Sequence, residues 1–250
     1  MRNLLSVLKI GGSTLENLQP AFFNSLRCKI HNGEKVVIVH GGGPEINKKL
    51  QEKGLPIQMK DGIRITSQEA LSCVKAALKD TANKKLVERL NQEGIQAAGL
   101  CGSENTLIQC DFLDEEKYGR VGKVKKVNID LLEKLLKSGK VPVIASLGVT
   151  ENGDEVNINA DTAAGETAAA LSAVSVCFVT DISGIQVEGQ KAKQLTITQL
   201  KRGINDGHIY GGMIPKVEAA VKCLNLNIDE VLITDQTLSG TRCYKEVLAI

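Results

Sequence analysis

Short apolar runs alternate along the chain with longer segments whose apolar residues recur at helical spacing. The runs are rich in valine, isoleucine and leucine and lie at residues 4–10, 35–40, 141–146, 174–181 and 229–235. Near-continuous runs of this kind are typical of parallel strands covered on both faces by helices. The pattern predicts an α/β fold, a three-layer αβα sandwich around a central, mainly parallel open sheet.

Two of the intervening segments have clear helical periodicity. In residues 128–139 four leucines share one face, with Asn128 as the expected N-cap and Gly139 as the expected stop. In residues 213–225 four apolar side chains form one stripe, and Pro215 is tolerated in the first turn. Both segments are predicted to be amphipathic helices.

Two turn signals predict β-hairpins at the rim of the sheet. Asp61-Gly62 and Asn152-Gly153 each stand between extended runs, and such pairs favour two-residue hairpin turns. No Pro/Gly/Ser linker divides the chain. We expect any boundary between lobes to fall near residues 160–165.

Composition limits the classes of function. The 250 residues carry a net charge of +2, with 31 basic and 29 acidic side chains, so no strong field for nucleic acid or an anionic membrane is expected. Seven cysteines without a C-x-x-C pair argue against a disulfide framework or a zinc site. The chain shows neither a signal peptide nor an apolar stretch of bilayer length. We expect a soluble, cytoplasmic protein with reduced thiols.

Glycine-rich turns follow the first two predicted strands. The sequence "KIGGS" occupies residues 9–13 and "HGGGPE" residues 40–45, and each joins a strand to a predicted helix. Free N–H groups and the helix dipole favour anions at such junctions. One junction of this kind would be an ordinary turn, but two of them, with five glycines and a lysine, favour anion sites.

Better-known glycine motifs do not match. There is no G-x-x-x-x-G-K-[ST] sequence, and the G-x-G-x-x-G register fails because its last position is Ile46. The HGGG sequence occurs in some lipases, but no G-x-S-x-G nucleophile elbow accompanies it. These three classes of enzyme are excluded.

Polar side chains follow three further apolar segments. In "VNINAD" the residues Asn157, Asn159 and Asp161 would share a face if the stretch were extended. "VTDISGI" ends a buried strand at Asp181 and turns at Gly184.

The third such segment is "YGGMIPK", residues 210–216. It places two glycines before a helix and Lys216 in the first helical turn, where the dipole disfavours a cation. A negative group is expected to compensate this lysine.

Together these motifs resemble the amino acid kinase family, and within it the acetylglutamate branch, over nearly the whole chain. The resemblance rests, in order, on "KIGGS", "HGGGPEIN", "KDGIRIT", "TANKKLV", "GVTENGDEVNINADTAAG", "VTDISGI", "GGMIPKV" and the closing "GTR". The first and the "GMIPK" elements are shared widely among amino acid kinases, whereas "HGGGP", "DGIRIT" and "NINAD" point to the acetylglutamate branch.

The resemblance implies phosphorylation of the γ-carboxylate of N-acetyl-L-glutamate by ATP with Mg²⁺, the second step of arginine synthesis. It implies that Lys9 and Lys216 hold the transferring phosphoryl group and that Asp161 orients both lysines. The implied substrate residues are Gly42 and Gly43 for the γ-carboxylate, Arg64 and Asn157 for the α-carboxylate and acetylamino end, and Asn159 between the two groups. The implied nucleotide and phosphate residues are Gly11, Gly12, Asp181, Gly184, Gly211, Gly212 and Met213.

The resemblance also implies an organisation of the chain. Residues 1–164 would form the acylamino-acid lobe, which also dimerises, and residues 165–250 the nucleotide lobe. Arginine-inhibited members of the family carry an extra N-terminal helix that builds a hexamer. This sequence starts almost at the first strand, so a homodimer without that feedback site is expected. Where the family often has a "GKDGG"-like turn, residues 99–107 read "GLCGSENTL", and Cys101 is expected to be a small buried residue.

Elementary chemistry agrees with this reaction. The nucleophile is a carboxylate with an ordinary pKa of about 4.3, so no general base is required. None of the three histidines need be catalytic, and a positioning or packing role is expected for His40. Phosphoryl transfer is mainly positioning and charge stabilisation, which glycine amides, two lysines and Mg²⁺ carried by ATP can supply without a protein metal site.

Alternatives remain open from the sequence. Singly, Lys9 could be a solvent-facing strand end, Lys216 an exposed helix residue, Asp161 an N-cap and Arg64 a hairpin surface charge. The substrate could be N-acetyl-aminoadipate or a carrier-linked aminoadipate, one methylene longer, since a methylene gives only ~1–3 kcal/mol of discrimination. The chain could also be a catalytically silent nucleotide-binding regulator, which should have lost a lysine or Asp161.

Overall fold

The computed structural model describes residues 4–246. The helices are α1 (Gly12–Glu16), α2 (Pro20–His31), α3 (Gly43–Glu52), α4 (Gln68–Lys75), α5 (Lys84–Gln92), α6 (Glu115–Tyr118), α7 (Asp130–Lys137), α8 (Ala160–Ala170), α9 (Ile197–Asn205) and α10 (Met213–Asn225). A π-helical stretch, Ala76–Asn83, joins α4 to α5, and Glu104–Thr106 forms a 3₁₀ turn.

The strands include all five that the apolar runs predict. In chain order they are β1 (Leu5–Ile10), β2 (Lys35–His40), β3 (Met59–Lys60), β4 (Ile63–Arg64), β5 (Ala97–Cys101), β6 (Ile108–Phe112), β7 (Gly122–Val127), β8 (Val141–Ala145), β9 (Leu147–Thr150), β10 (Glu155–Asn157), β11 (Ser175–Val179), β12 (Gln186–Val187), β13 (Gln190–Lys191), β14 (Gln194–Thr196), β15 (Glu230–Thr234) and β16 (Thr241–Tyr244).

An eight-stranded sheet forms the centre of the molecule, in the order β14-β16-β15-β11-β1-β2-β8-β5. Every pair of neighbouring strands in this sheet is parallel except the pair β15–β16, which is antiparallel. The predicted fold class is therefore confirmed. A second sheet, β10-β9-β6-β7, and two short ribbons, β3–β4 and β12–β13, complete the strands.

Helices and the second sheet cover the two faces of the central sheet. On β1, Leu8 and Ile10 pack with Phe22, Phe23 of α2 and with α5, whereas Val7 joins a cluster on the other face. That second cluster contains apolar residues of α7, α8, α9, α10 and the second sheet. The strands β1, β2, β8, β11 and β15 are thus buried on both sides, which is why their sequences are nearly continuously apolar.

Local signals are confirmed with two corrections. The β3–β4 hairpin has the expected two-residue turn, with Asp61 at φ 53° and Gly62 at φ 74°. The β9–β10 connection has three residues, 151–153, because the ladder closes with Thr150 N–H donating to the Asp154 carbonyl at 2.8 Å. The predicted two-residue turn there is wrong: Gly153, at φ 87°, supplies the left-handed position of a longer turn.

The second correction concerns the start of α7. Its N-cap position is Ile129, not Asn128. The Asn128 side chain instead accepts a hydrogen bond from Asp130 N at 3.2 Å, an Asx turn one residue earlier. Gly139, at φ 75°, follows the end of the helix as predicted.

The two predicted lobes share one sheet. The expected boundary, residues 160–165, lies in the first half of α8, and β1 pairs with β11 across it. Within residues 4–246, no helix combines the length and the apolar character needed to cross a bilayer.

Candidate active site

The two glycine turns predicted to bind anions lie side by side. In the parallel pair β1–β2, Ile10 is opposite His40, so both strands end at the same edge of the sheet. A β-carbon on Gly12 would lie 2.6 Å from the backbone nitrogen of Gly43. The turns therefore touch backbone to backbone, and a side chain at position 12 would separate them.

The glycines of the second turn differ in what surrounds them. A β-carbon on Gly42 would meet Leu78 Cδ2 at 2.8 Å, and one on Gly41 would meet the Ala160 side chain at 3.3 Å. One on Gly43 would meet nothing within 4 Å. Packing thus accounts for the small residue at position 42, and the open space expected for a ligand lies at Gly43.

Backbone donors at this junction are left without protein acceptors. Gly42 is the N-cap of α3 and Gly43 its first residue, positions whose N–H groups fall outside the helical hydrogen-bond ladder. Across residues 4–246 neither N–H donates to a backbone carbonyl or to a capping side chain. The positive end of the α3 dipole adds to them, so the turn suits an anion.

Lys9 is held beside the first glycine turn by Asp161. The Lys9 Nζ atom lies 2.9 Å from Asp161 Oδ1, and the lysine side chain is only 15% exposed. A β-carbon on Gly11 would stand 3.9 Å from the same Nζ atom. The structure thus brings a mostly buried ammonium next to Gly11 and Gly12, the residues predicted to line the phosphate side.

Lys216 has a different acidic partner. Its Nζ atom lies 3.4 Å from Asp181 Oδ1 and donates to the Gly212 carbonyl at 3.2 Å. Asp181 is thus a negative group beside this lysine, but its side chain is largely exposed. Among the described residues Asp161 forms no ion pair with Lys216, so the role of Asp161 in orienting both lysines has a contact for Lys9 and stays a prediction for Lys216.

A cavity of about 170 Å³ opens beside the second glycine turn. It is lined by all five predicted substrate residues, Gly42, Gly43, Arg64, Asn157 and Asn159. These residues come from a strand-to-helix turn, a hairpin, a strand end and a helix N-terminus. The sheet topology brings them together although they span more than 100 positions of sequence.

Arg64 lines this cavity, and one of its guanidinium nitrogens has no hydrogen-bond partner. Its Nη2 donates to Asn47 Oδ1 at 2.6 Å, whereas its Nη1 is buried with no hydrogen-bond partner. Burial lowers the pKa of Arg64 from its ordinary value, but an arginine remains charged near neutral pH. A buried cationic donor without a partner is costly unless an anion binds it. The alternative of Arg64 as a surface charge is wrong.

Thr66 links the two residues predicted to bind the far end of the substrate. Asn157 Nδ2 donates to Thr66 Oγ1 at 3.2 Å, and Thr66 Oγ1 donates to the Arg64 carbonyl at 3.0 Å. Thr66 is fully buried and Asn157 nearly so. The relative position of Asn157 and Arg64 is thereby fixed from behind the cavity.

The stretch after Asn157 is not extended, so the predicted single face through residue 161 is wrong. Strand β10 ends at Asn157, and Asn159 is the N-cap of α8, its Oδ1 accepting from the N–H groups of Asp161 and Thr162 at 2.9 and 3.1 Å. The alternative of Asp161 as the N-cap is also wrong. An asparagine before an alanine-rich segment is a strong helix start, and it overrides the alternating pattern.

Apart from Gly11 and Gly12, the predicted nucleotide residues fall in two places. Asp181, Gly211 and Gly212 are exposed around Lys216, with Gly212 as the N-cap of α10 and Met213 as its first residue. Gly184 is buried, and a β-carbon there would meet a threonine hydroxyl of β16 at 2.7 Å. Packing and its φ of 150° therefore already require glycine at this position.

Three polar side chains that support the site have no role that the sequence pattern predicts. These are Asn47, Thr66 and Asn83, which bond to Arg64, Asn157 and His40 respectively. Each occurs in a motif that carried the family resemblance. Their importance depends on burial against other elements, which a linear pattern does not reveal.

Known proteins of one family resemble this chain over most of its length. The sequence profile of the amino acid kinase family matches residues 5–235. The chain belongs to the amino acid kinase family. Its curated relatives include an acetylglutamate kinase from Geobacillus kaustophilus, 43% identical over 249 residues and covering 96% of each chain. Another, from Bacillus velezensis, is 38% identical with the same coverage.

Solved structures agree with this family. The crystal structure of smu.665 from Streptococcus mutans superposes with a TM-score of 0.88 at 35% identity, covering 97% of this chain and 99% of that one. Carbamate kinase from Giardia lamblia has a TM-score of 0.70 at 16% identity, covering 98% of this chain and 99% of that one. The latter likeness shows the fold alone.

Proposed function

We propose that this chain is an acetylglutamate kinase, which transfers the terminal phosphoryl group of ATP to the γ-carboxylate of N-acetyl-L-glutamate in arginine biosynthesis. The products would be N-acetyl-L-glutamyl 5-phosphate and ADP. One observation carries the proposal. The cavity lined by Arg64 opens beside Gly42 and Gly43, whose N–H groups have no protein acceptor, at the same sheet edge as the Lys9–Asp161 pair.

The cavity suits a substrate with two carboxylates. Arg64 and Asn157 would bind the α-carboxylate and the acetylamino end, and Asn159 would lie between the two groups. The free N–H groups of Gly42 and Gly43 would receive the γ-carboxylate. That carboxylate is ionised at neutral pH and attacks directly, so no residue needs to remove a proton. The main task of the protein is to reduce the repulsion between two anions.

Lysines on the two sides of the junction would perform that task. Lys9, held by Asp161, and Lys216, beside Asp181, would neutralise charge on the transferring phosphoryl group. Gly11, Gly12, Gly211, Gly212 and Met213 would line the phosphate and nucleotide side. Free amides and ammonium groups are donors for phosphate oxygens, not metal ligands, so Mg²⁺ would arrive bound to ATP and offset the phosphate charge.

Two other functions remain as alternatives. An N-acetyl-aminoadipate or carrier-linked aminoadipate kinase would need only a slightly deeper cavity. A silent nucleotide-binding regulator is disfavoured because Lys9, Asp161 and Lys216 are all present. Lys9 and Asp161 are ion-paired with each other, and Lys216 is paired with Asp181.

The deciding experiment is a hydroxamate-trapping assay with MgATP. Purified protein is supplied in turn with the N-acetyl derivatives of aspartate, glutamate and aminoadipate, and the trapped acyl phosphate is measured. We expect the highest kcat/KM with N-acetyl-L-glutamate. A preference for the aminoadipate derivative would support the first alternative, and no acyl phosphate from any substrate the second.

The wider setting of the enzyme is part of the same proposal. Seven free cysteines fit a reducing cytoplasm, and burial raises the pKa of Cys110, Cys177, Cys223 and Cys243 to about 12. Strand β5 forms an edge of the central sheet in this chain, and we propose a homodimer formed through the lobe of residues 1–164. Sedimentation equilibrium at two concentrations would give the mass, and a monomer would contradict the dimer.

A further inference from the structure

A π-helical stretch lies at the centre of the helical rod from α4 to α5. Such stretches are rare, and where they occur they often mark functional positions. Its last residue, Asn83, is buried, with 6% of its surface exposed. A β-carbon on Gly99 of β5 would overlap Asn83 Oδ1, so the amide lies directly on the sheet.

Hydrogen bonds fix the orientation of the Asn83 amide. Its Nδ2 lies 2.9 Å from the Val143 carbonyl of β8, 3.4 Å from the Leu100 carbonyl of β5 and 3.0 Å from His40 Nε2. A carbonyl can only accept, so the nitrogen of the amide must face the two carbonyls. A hydrogen on His40 Nε2 would set two donors against each other at 3.0 Å, so Nε2 must be the acceptor.

The acceptor role of Nε2 determines what the other ring nitrogen does. A neutral imidazole with Nε2 unprotonated carries its hydrogen on Nδ1, which lies 3.0 Å from the Gly41 carbonyl and donates to it. His40 is fully buried, and this burial lowers its pKa to about 4. The ring is neutral at pH 7, and the chain of bonds has one direction, from Asn83 through His40 to Gly41.

The Gly41 carbonyl belongs to the same planar peptide as the Gly42 N–H group. In a trans peptide these two groups point in opposite directions. Holding the carbonyl toward His40 therefore turns the Gly42 N–H away from it, and this N–H is one of the free donors at the cavity. Glycine on both sides of the peptide would otherwise let it rotate easily.

We infer that Asn83 and His40 are positioning residues, which set the direction of the Gly42 amide toward the reacting carboxylate. The inference rests on the proposed function, because it assumes that this amide binds the group that accepts the phosphoryl. Neither residue lines the cavity or needs to touch the substrate. Each acts through the Gly41 carbonyl.

The tautomer of His40 gives the first test and needs no variant. The chain has only three histidines, at positions 31, 40 and 208, so selective ¹⁵N-histidine labelling resolves each ring. At neutral pH we expect one ring, assigned to His40 by its loss in His40→Asn, to be neutral with the proton on Nδ1. A proton on Nε2 of that ring would overturn the relay.

Kinetics of paired variants give the second test. His40→Leu removes both bonds, whereas His40→Asn keeps an amide that can donate to the Gly41 carbonyl. We expect His40→Leu and Asn83→Ala to lower kcat by about tenfold to a hundredfold, the usual cost of a small misplacement, with little change in KM for ATP. His40→Asn should recover part of that loss.

Asn91 on α5 is the matched control. It also bonds to the β5 segment, its Oδ1 accepting from Ala97 N at 3.0 Å, but it is exposed and distant from the relay. Asn91→Ala should keep the parental kcat. Parental kcat in Asn83→Ala would overturn the inference, and that variant decides the question if His40→Leu does not fold. If the parent forms no acyl phosphate, the proposed function fails, while the tautomer still tests the relay.

Discussion

Lys216 lies in the first turn of α10, where the helix dipole is unfavourable for a positive charge. It is the fourth residue of α10, and a cation in the first turn costs about 0.3–1 kcal/mol through the dipole. The side chain of its partner Asp181 is 77% exposed, and an ion pair with so exposed a carboxylate contributes little to stability. Local interactions therefore do not explain the lysine. A phosphoryl group bound nearby would.

We therefore predict that Lys216→Ala lowers kcat by roughly 10²–10³, the usual cost of removing one charge-stabilising group. KM for the acylamino acid should change little, because Lys216 is not among the residues that line the substrate cavity. Initial rates over a range of both substrates measure this. Lys222→Ala, on the same helix, is the control, and equal rates in both variants would mean that Lys216 has no catalytic role.

Arg64 should affect binding more than turnover. Its buried, unpaired Nη1 faces no protein acceptor, so a bound carboxylate would gain a charged hydrogen bond of about 1.5–3 kcal/mol. Arg64→Ala is expected to raise KM for the acylamino acid roughly ten- to a hundredfold while leaving KM for ATP unchanged. Arg27→Ala, at an exposed site, provides the comparison. A fall in kcat without a rise in KM would show that the proposed role of Arg64 in substrate binding is wrong.

At the scale of elements, the parts of the fold that the sequence predicts are those whose burial is uniform. The five central strands are apolar on both faces, so a simple run of β-branched residues identifies them. Strand β7 carries three lysines because one of its faces is exposed, and it has no such run. The sequence therefore predicts only one hairpin of the second sheet. It does not predict the π-helical stretch, because the composition of residues 76–83 is that of an ordinary helix.

The candidate site likewise has parts that the sequence predicts and parts that it does not. Glycine turns and charges after apolar runs can be seen in the sequence, and parallel strands must end at one edge. The supporting bonds of Asn47, Thr66 and Asn83 depend on packing between distant segments. Asn159 shows most clearly what the sequence alone cannot predict. Its surroundings fit both an extended strand and a helix N-cap, and the folded chain has the helix N-cap.

The β9–β10 hairpin is tied to α4 by one carboxylate. Glu155 accepts from Lys75 Nζ and from Ser103 Oγ, both at 2.7 Å. Burial would raise the pKa of Glu155, but these hydrogen bonds hold it below its ordinary value of 4.5. A carboxylate with a lowered folded pKa stabilises the protein above its unfolded pKa, and this stability is lost as pH falls through the folded value.

Glu155→Gln is thus expected to lower the free energy of unfolding by about 1 kcal/mol at neutral pH, since the pair is partly exposed. The difference from the parent should shrink as the pH falls below 4.5, the ordinary value for this group. Urea unfolding of both proteins across this range measures it. Glu151→Gln, in the exposed turn of the same hairpin, should show no such dependence, and a constant difference for Glu155→Gln would exclude the ionic contribution.

At the scale of the whole molecule, the two proposed lobes are joined too closely to fold apart. Strand β1 takes β2 on one side and β11 on the other, with five residue pairs across the proposed boundary. Helix α8 begins in the first lobe and packs against α10 of the second, and its buried alanines share one cluster with Val217 and Leu224. Separating the lobes would leave a central strand edge and that cluster open to water.

We therefore predict one cooperative thermal transition for the full chain, with equal calorimetric and van't Hoff enthalpies. Scans at two protein concentrations separate unfolding from subunit dissociation. ATP and N-acetyl-L-glutamate, bound only by the folded chain, should each raise the midpoint temperature. Each ligand adds about 2.7 kcal/mol to the free energy of unfolding when its concentration is a hundred times its Kd. Because both lobes belong to one unit, the acylamino acid alone should protect the nucleotide lobe as well. Two separate transitions, or a fragment of residues 1–164 that unfolds cooperatively by itself, would contradict this coupling and place the boundary between independent domains.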